Sequence, residues 1–284
     1  MISDKITGII EGGLGNQLFI IFTTMSNAFD DNKDFSIWPK DNNGFNRPFY
    51  FGNLLKKLTF KVEDKIENIQ QRYFYQEQNF HYNPIPKDAL TISGFFQSPK
   101  YFHHNKDKII KYLELDKFQD RYKLNGDYIM LHFRLEDNLW KQFAHYLLRP
   151  SYYINALIKL FELIPDANDK YKFIIFGLEN DDDLINDYID EITNEIYNKI
   201  GIKIDFIKIY ELIPNTKDYQ ELMYMTSCKH FIIANSTFSW FGAYLSKNEN
   251  AIVMYPDEWV GPQLKDKLLL FDMYPDNWIK IKAL

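Results

Sequence analysis

The sequence predicts an α/β protein built on parallel sheets, and its 284 residues suit two domains of ordinary size. Three observations predict it. Short β-branched apolar runs alternate with segments of helical periodicity, most regularly after residue 125. Glycines or small hydroxyl residues stand where strands give way to helices. Hydrophobic residues make up 46% and charged residues 25%, the balance of a packed chain.

The elements follow in order. Ile6 to Ile10 reads as a buried strand ended by Gly12-Gly13. Asn16 to Phe29 carries Leu18, Phe19, Phe22, Met25 and Phe29 at helical spacing. Phe35 to Trp38 is the next strand. Between 40 and 90 only a helix fragment near Asn53 to Leu58 stands out. Tyr128 to Phe133 is a buried strand after the turn Asn125-Gly126-Asp127. Then come a helix from Ser151 to Leu163, a strand from Phe173 to Phe176, and a helix from Leu184 to Ile200 opened by acidic Asp181-Asp182-Asp183. Lys203 to Ile207 and His230 to Ala234 are strands, Asp218 to Thr226 and Thr237 to Leu245 helices, and Ala251 to Met254 the last strand. Such alternation implies βαβ units. The domain boundary is placed near residue 125, giving 1–125 and 126–284, with the terminal segment from Trp259 crossing back as an option.

Composition narrows the function. Net charge is −6 and the pI about 5.6, which argues against non-specific nucleic-acid binding and makes any anion site a local one. One cysteine, Cys228, allows neither an intrachain disulfide nor a cysteine-based metal site. No signal peptide or transmembrane run is visible, which points to the cytoplasm. Aromatics reach 17%, but spread along the whole chain they read as core fillers before stacking platforms.

Three places carry chemistry. Gly12-Gly13-Leu14-Gly15-Asn16 lies between a strand and a helix, where a ligand can approach backbone and free N–H groups. It is neither a dinucleotide fingerprint nor a P-loop, and alone it reads as a tight turn. In Leu131-His132-Phe133-Arg134, strand alternation puts His132 and Arg134 on one face at a carboxyl end, where a guanidinium suits two phosphate oxygens. Its ordinary alternative is an ion pair of Arg134 with Glu136 or Asp137. Asn235-Ser236-Thr237-Phe238-Ser239 straddles a strand end and a helix start, as a simple N-cap or an anion site. The second and third converge on neighbouring strand ends, and a diphosphate is the simplest occupant.

These residues resemble the α-1,2-fucosyltransferases of glycosyltransferase family eleven. GGLGNQLF near the start, GFFQSPKYF over Gly94–Phe102, YQELMYMTSCKHFIIANSTFSWFGAYL over 219–245, and the blocks Pro256–Trp259 and Tyr274–Trp278 are similar to its motifs in order. The resemblance implies a GT-B-like fold of two Rossmann-type lobes with a cleft between them, the first lobe on the acceptor side and the second binding the sugar nucleotide. It implies inverting transfer of L-fucose from GDP-fucose to a glycan hydroxyl, such as the 2-OH of a galactoside, with no obligatory metal or other cofactor. By that resemblance Arg134 binds the diphosphate and stabilises the departing GDP, with His132 beside it. Asn235, Ser236, Thr237, Phe238 and Ser239 hold phosphate and nucleoside. Gly13, Gly15, Asn16 and Gln17 face the cleft near the fucose or acceptor.

There are departures. The family's His-x-Arg-Arg-Gly-Asp is here His132-Phe133-Arg134-Leu135-Glu136-Asp137, so the second arginine is a leucine. Its acidic pair after the next strand is displaced into Glu179-Asn180-Asp181. For the general base, Asp137 is favoured over Glu136 and Glu11. Three rivals remain: a metal-dependent enzyme using Asp181-Asp182-Asp183, a catalytically silent sugar-nucleotide or glycan-binding protein, and an enzyme using another deoxyhexose nucleotide.

Overall fold

The computed structural model describes residues 5–40, 47–63, 73–135, 146–261, 263–264 and 271–283. The chain forms two compact units. One comprises Met1–Arg121 with Leu268–Pro275, the other Tyr122–Lys267 with Asp276–Leu284. Each carries its own parallel sheet and helices, so the fold is the α/β, GT-B-like architecture of two Rossmann-type units.

The first unit is built on β1 (Lys5–Ile10), β2 (Asp34–Pro39), β3 (Phe74–Gln76) and β4 (Thr91–Ser93), in the order β2-β1-β4-β3. β1 pairs with β2 in the register Ile6↔Phe35 and with β4 through Gly8↔Ile92. The helix Leu14–Asp30 crosses back over this sheet. Its Leu18, Phe19, Ile20, Ile21, Phe22 and Met25 are all fully buried, so it is apolar around most of its circumference. Side chains of this size contribute about 1.5–3 kcal/mol each on burial, which fixes the helix against the strands. Phe19 and Phe22 both meet Phe102 edge to face, at 5.7 and 5.4 Å. Gly8 sits where strand and helix come closest: a Cβ there would collide with the Thr24 side chain.

The second unit orders six parallel strands as β10-β9-β8-β5-β6-β7: β5 (Tyr128–His132), β6 (Lys172–Phe176), β7 (Phe206–Lys208), β8 (His230–Ile232), β9 (Val253–Pro256) and β10 (Ile279–Ile281). Its core gathers Ile129, Leu131, Phe133, Phe173, Ile175 and Ile232 with the helices Pro150–Leu163 and Asp182–Ile200. Two tyrosines of the first of these helices are fully buried yet satisfied. Tyr152 donates to the Ile233 carbonyl at 2.6 Å and Tyr153 to the His132 carbonyl at 2.8 Å. They pin the helix to the ends of β8 and β5.

Both sheets reverse direction beside their first strand. From β5 the chain builds β6 and β7 outward on one side, then β8, β9 and β10 on the other. Likewise β2 flanks β1 on one side and β4 with β3 on the other. Loops leaving the carboxyl ends at such a switch point diverge and open a crevice. The β5/β8 ends and the β1/β4 ends are therefore where this topology makes room for ligands.

Several expectations need correction. The fragment near Asn53 to Leu58 is instead a 3₁₀ helix at Lys56–Lys61. The strand expected at Lys203 to Ile207 is Phe206–Lys208, and that at Ala251 to Met254 is Val253–Pro256. Strands β3, β4 and β10, of three residues each, were not anticipated, nor were the helices Lys106–Leu113 and Leu115–Arg121. Glu114 separates these two helices in the left-handed region, φ 55°, and pairs with Lys57 at 3.0 Å and Lys117 at 2.8 Å.

Candidate active site

β5 and β8 are neighbours in register Leu131↔Ile232, so the residues that follow them emerge side by side. Leu131 and Phe133 enter the core, and Arg134, half-buried, turns to the opposite face. Its Nη1 donates to the Asn235 carbonyl at 3.2 Å. The two motifs are thus in contact, with the guanidinium at the backbone that leads into the helix Thr237–Tyr244. Ser236 caps that helix, its Oγ accepting from the Phe238 N–H at 3.3 Å, and Ser239 Oγ donates to the Ser236 carbonyl at 3.3 Å. Asn235, 2% exposed, donates to the carbonyls of Tyr146 (2.7 Å) and Trp259 (2.9 Å) and so ties three loops together. Its Oδ1 is buried without a hydrogen-bond partner.

His132 lies beneath, its ring 6.1 Å from that of Phe238. Burial, and secondarily the charge of Arg134, push its pKa down to about 3. The imidazole is therefore neutral at every physiological pH. Its Nδ1 is buried and unpartnered. One fixed cation, a helix N-terminus and two unsatisfied polar atoms thus share one end of the second sheet. Such a set suits an anion that also brings hydrogen-bonding groups.

Leu135 accounts for the departure at the second arginine position. It is 1% exposed and belongs to the core of this unit, so the side chain there supports packing. Glu136 and Asp137 lie outside the described residues.

The glycine turn of the first unit stands at the β1 end. Gly12 has φ 80°, which favours glycine, and Gly13 opens the helix without a side chain to cap it. A Cβ on Gly13 would meet nothing within 4 Å, so its backbone faces open space. Gly15 and Gln17 are buried, and Asn16 is half-buried. Gln17 donates through Nε2 to the carbonyls of Gly12 (2.9 Å) and Pro48 (2.8 Å), while its Oε1 is buried without a partner. Asn16, in the first turn of the helix Leu14–Asp30, accepts from Gln97 Nε2 at 3.0 Å, joining that helix start to the loop after β4 across the switch point. Gln97 belongs to the GFFQSPKYF motif, whose pattern alone does not single it out as a site residue. Glu11, a candidate base, pairs with Lys40 at 2.7 Å.

The acidic run at 181–183 divides its carboxylates among different surroundings. Asp181 is buried, Asp183 exposed, and Asp182 Oδ1 accepts from Lys208 Nζ and Tyr210 Oη, both at 2.6 Å. These hydrogen bonds hold Asp182 below the usual carboxylate range. Among the described residues, no group of three or more His, Cys, Asp or Glu side chains is placed to hold a metal ion. No described helix is long and apolar enough to cross a membrane.

The sequence profile of glycosyl transferase family 11 matches residues 10–282. The chain belongs to that family. This family 11 glycosyltransferase is similar to the Alpha-1,2-colitosyltransferase of Escherichia coli, 24% identical over 283 residues, covering 88% of this chain and 90% of the relative. It is also similar to the O-antigen biosynthesis glycosyltransferase WbnK of Escherichia coli, 25% identical over 203 residues, covering 65% of this chain and 60% of WbnK. Among solved structures it aligns with the E. coli ADP-heptose LPS heptosyltransferase II at 12% identity and TM-score 0.47, covering 98% of this chain and 90% of that one. A mutant of Arabidopsis thaliana FUT1 in complex with GDP aligns at 11% identity and TM-score 0.48, covering 89% and 70%.

Proposed function

We propose that the protein transfers L-fucose, or a closely related deoxyhexose, from its GDP donor to a glycan hydroxyl such as the 2-OH of a galactoside, with inversion. The observation that carries this reading is the contact of Arg134 with the Asn235 backbone at the start of the Thr237–Tyr244 helix. In it, Arg134 and that helix start hold the diphosphate and take up the charge that develops as the bond to the anomeric carbon breaks. Neutral His132 donates to a donor oxygen, Asn235 Oδ1 accepts from a donor hydroxyl or N–H, and Ser236, Thr237, Phe238 and Ser239 complete the contacts to phosphate and nucleoside. Gly13, Gly15, Asn16 and Gln17 are assigned to the transferred sugar or the acceptor. Asp137 is assigned the proton of the acceptor hydroxyl. The fixed cation performs the charge stabilisation without an obligatory metal. The buried free thiol of Cys228 suits action in the cytoplasm.

The second reading concerns the donor. Leu135 leaves the site one cation short of the family pattern, and the E. coli relative is named for colitose, which is L-fucose without its 3-hydroxyl. Calorimetry with GDP, UDP, GDP-fucose, GDP-colitose and GDP-mannose, with and without EDTA, separates these readings. EDTA-insensitive binding of GDP and GDP-fucose, weakened by Arg134→Ala, is the expected result. Preference for GDP-colitose selects the second reading. Binding of UDP compounds alone discards both, and binding without donor turnover in the presence of galactosides selects a silent binding protein.

A further inference from the structure

The first unit contains a second set of buried polar atoms that its own fold leaves unsatisfied. Glu77 follows β3 directly. Its Oε2 accepts the N–H groups of Phe95 (2.7 Å) and Phe96 (3.0 Å), while Oε1 is buried without a hydrogen-bond partner. Asp272, 7% exposed, accepts the Tyr82 N–H through Oδ2 at 3.0 Å and meets Lys100 Nζ at 3.4 Å, while Oδ1 is buried without a partner. His81 Nδ1 is in the same condition. Tyr101 links the set: its hydroxyl accepts the Asn83 N–H at 3.0 Å, and burial with the charges of Glu77 and Asp272 holds it protonated. Folded chains satisfy more than nine in ten such groups, so three orphans in one neighbourhood call for an explanation.

Aromatic faces flank the same atoms. Phe271, 73% exposed, lies nearly parallel to the His81 ring at 4.9 Å. Phe80 stacks on Phe95 at 6.3 Å, and Tyr82 meets Tyr101 at 4.8 Å. Two carboxylate oxygens accept hydrogen bonds and repel anions, and an exposed ring takes an apolar C–H face. Hydroxyl donors on an otherwise apolar ring are the chemistry of a neutral sugar.

We propose that Glu77, His81, Phe271 and Asp272 form a carbohydrate subsite that takes a neutral, hydroxyl-rich sugar, its hydroxyls donating to Glu77 Oε1 and Asp272 Oδ1 and its ring lying on Phe271. This rests on the reading of the chain as a transferase with a glycan acceptor, whose sugar the subsite holds. Burial also lifts the Glu77 carboxyl to about 7, because the fold offers its buried Oε1 no partner to offset the lost hydration.

The test uses the full-length protein with lactose and N-acetyllactosamine as neutral probes and 3′-sialyllactose as the anionic one, by calorimetry and saturation-transfer NMR. GDP is titrated in parallel. The expected result is binding of the neutral probes over the anionic one, weakened at least tenfold in Phe271→Ala and in Glu77→Gln, with GDP affinity unchanged in both. Phe271 is exposed, so its variant keeps the fold even where the buried one does not. No binding of the neutral probes to the wild type, equal binding of the sialylated probe, or unchanged binding in both variants overturns the subsite. GDP binding without sugar binding defeats the subsite alone, whereas sugar binding without GDP binding defeats the donor reading alone.

Discussion

Replacing Glu77 by glutamine removes a charge that the fold shelters poorly. Burial raises its pKa, and the N–H groups of Phe95 and Phe96 only partly oppose the rise, so the folded value is about 7 against an ordinary 4.5. The folded state therefore binds this proton more tightly than the unfolded chain does. Stability from this group is fully present below pH 4.5 and declines as the pH climbs to 7. Above pH 7 the penalty is complete, about 3 kcal/mol at 1.36 kcal/mol per pKa unit. Glutamine keeps a carbonyl for the two N–H groups and carries no charge at any pH. Urea denaturation of both proteins, followed by circular dichroism from pH 4.5 to 8.5, cancels every other titrating group in the difference. Glu77→Gln is expected to be the more stable protein at pH 8 by about 2–3 kcal/mol, with the advantage fading towards pH 5. A difference that stays constant across the range refutes the buried-charge argument.

Three further outcomes are expected. Arg134→Ala lowers turnover by about 10²–10³, the usual cost of one charge-stabilising donor, and Arg134→Lys recovers little because an ammonium cannot reproduce the fork; steady-state kinetics and GDP calorimetry read both. Restoring the family's second cation through Leu135→Arg places an unpaired charge in the core, lowering stability by several kcal/mol in chemical denaturation without improving donor affinity. The glycine turn separates structure from function. Gly12→Ala, at φ 80° and against Asn16, is expected to lower stability by about 1–2 kcal/mol. Gly13→Ala meets open space at φ −72° and is expected to leave stability unchanged while slowing transfer. Unimpaired transfer in Gly13→Ala would remove that backbone from the site.

The second unit was legible because its signals are long and redundant. The helix Asp182–Ile200 repeats its apolar residues at Ile185, Tyr188, Ile192 and Ile196 and ends on Gly201 in the left-handed region. β5 and β6 are continuous apolar runs, as strands covered on both faces must be. β3, β4 and β10 escaped notice for the opposite reason. Three residues span too little chain to show a period, and Phe74–Gln76 is largely exposed, so no burial pattern marks it. The helix restart at Glu114 was hidden because a left-handed glutamate is not a residue from which a break is inferred. At the site, strand alternation rightly separated Arg134 from Leu131 and Phe133. The unpartnered atoms of His132, Gln17 and Asn235 depend on contacts far apart in sequence, which no local pattern encodes.

The short C-terminal stretch within the first unit governs how this chain can be made. The Asp272 carboxylate anchors the Tyr82 backbone, and Ser98 Oγ donates to the Asp272 carbonyl, across 190 and 174 residues of sequence. A nascent chain emerging from the ribosome has every strand of the first sheet long before it has these anchors. The second unit's strands through β9 must be synthesised in the interval. The first unit therefore waits, incompletely tied, until residue 272 has been synthesised, with Glu77 and its aromatic neighbours lacking their last partners. Expression of residues 1–121 alone yields a permanently waiting form, and a nick between 261 and 268 would leave a protein whose two pieces hold together only through folded contacts.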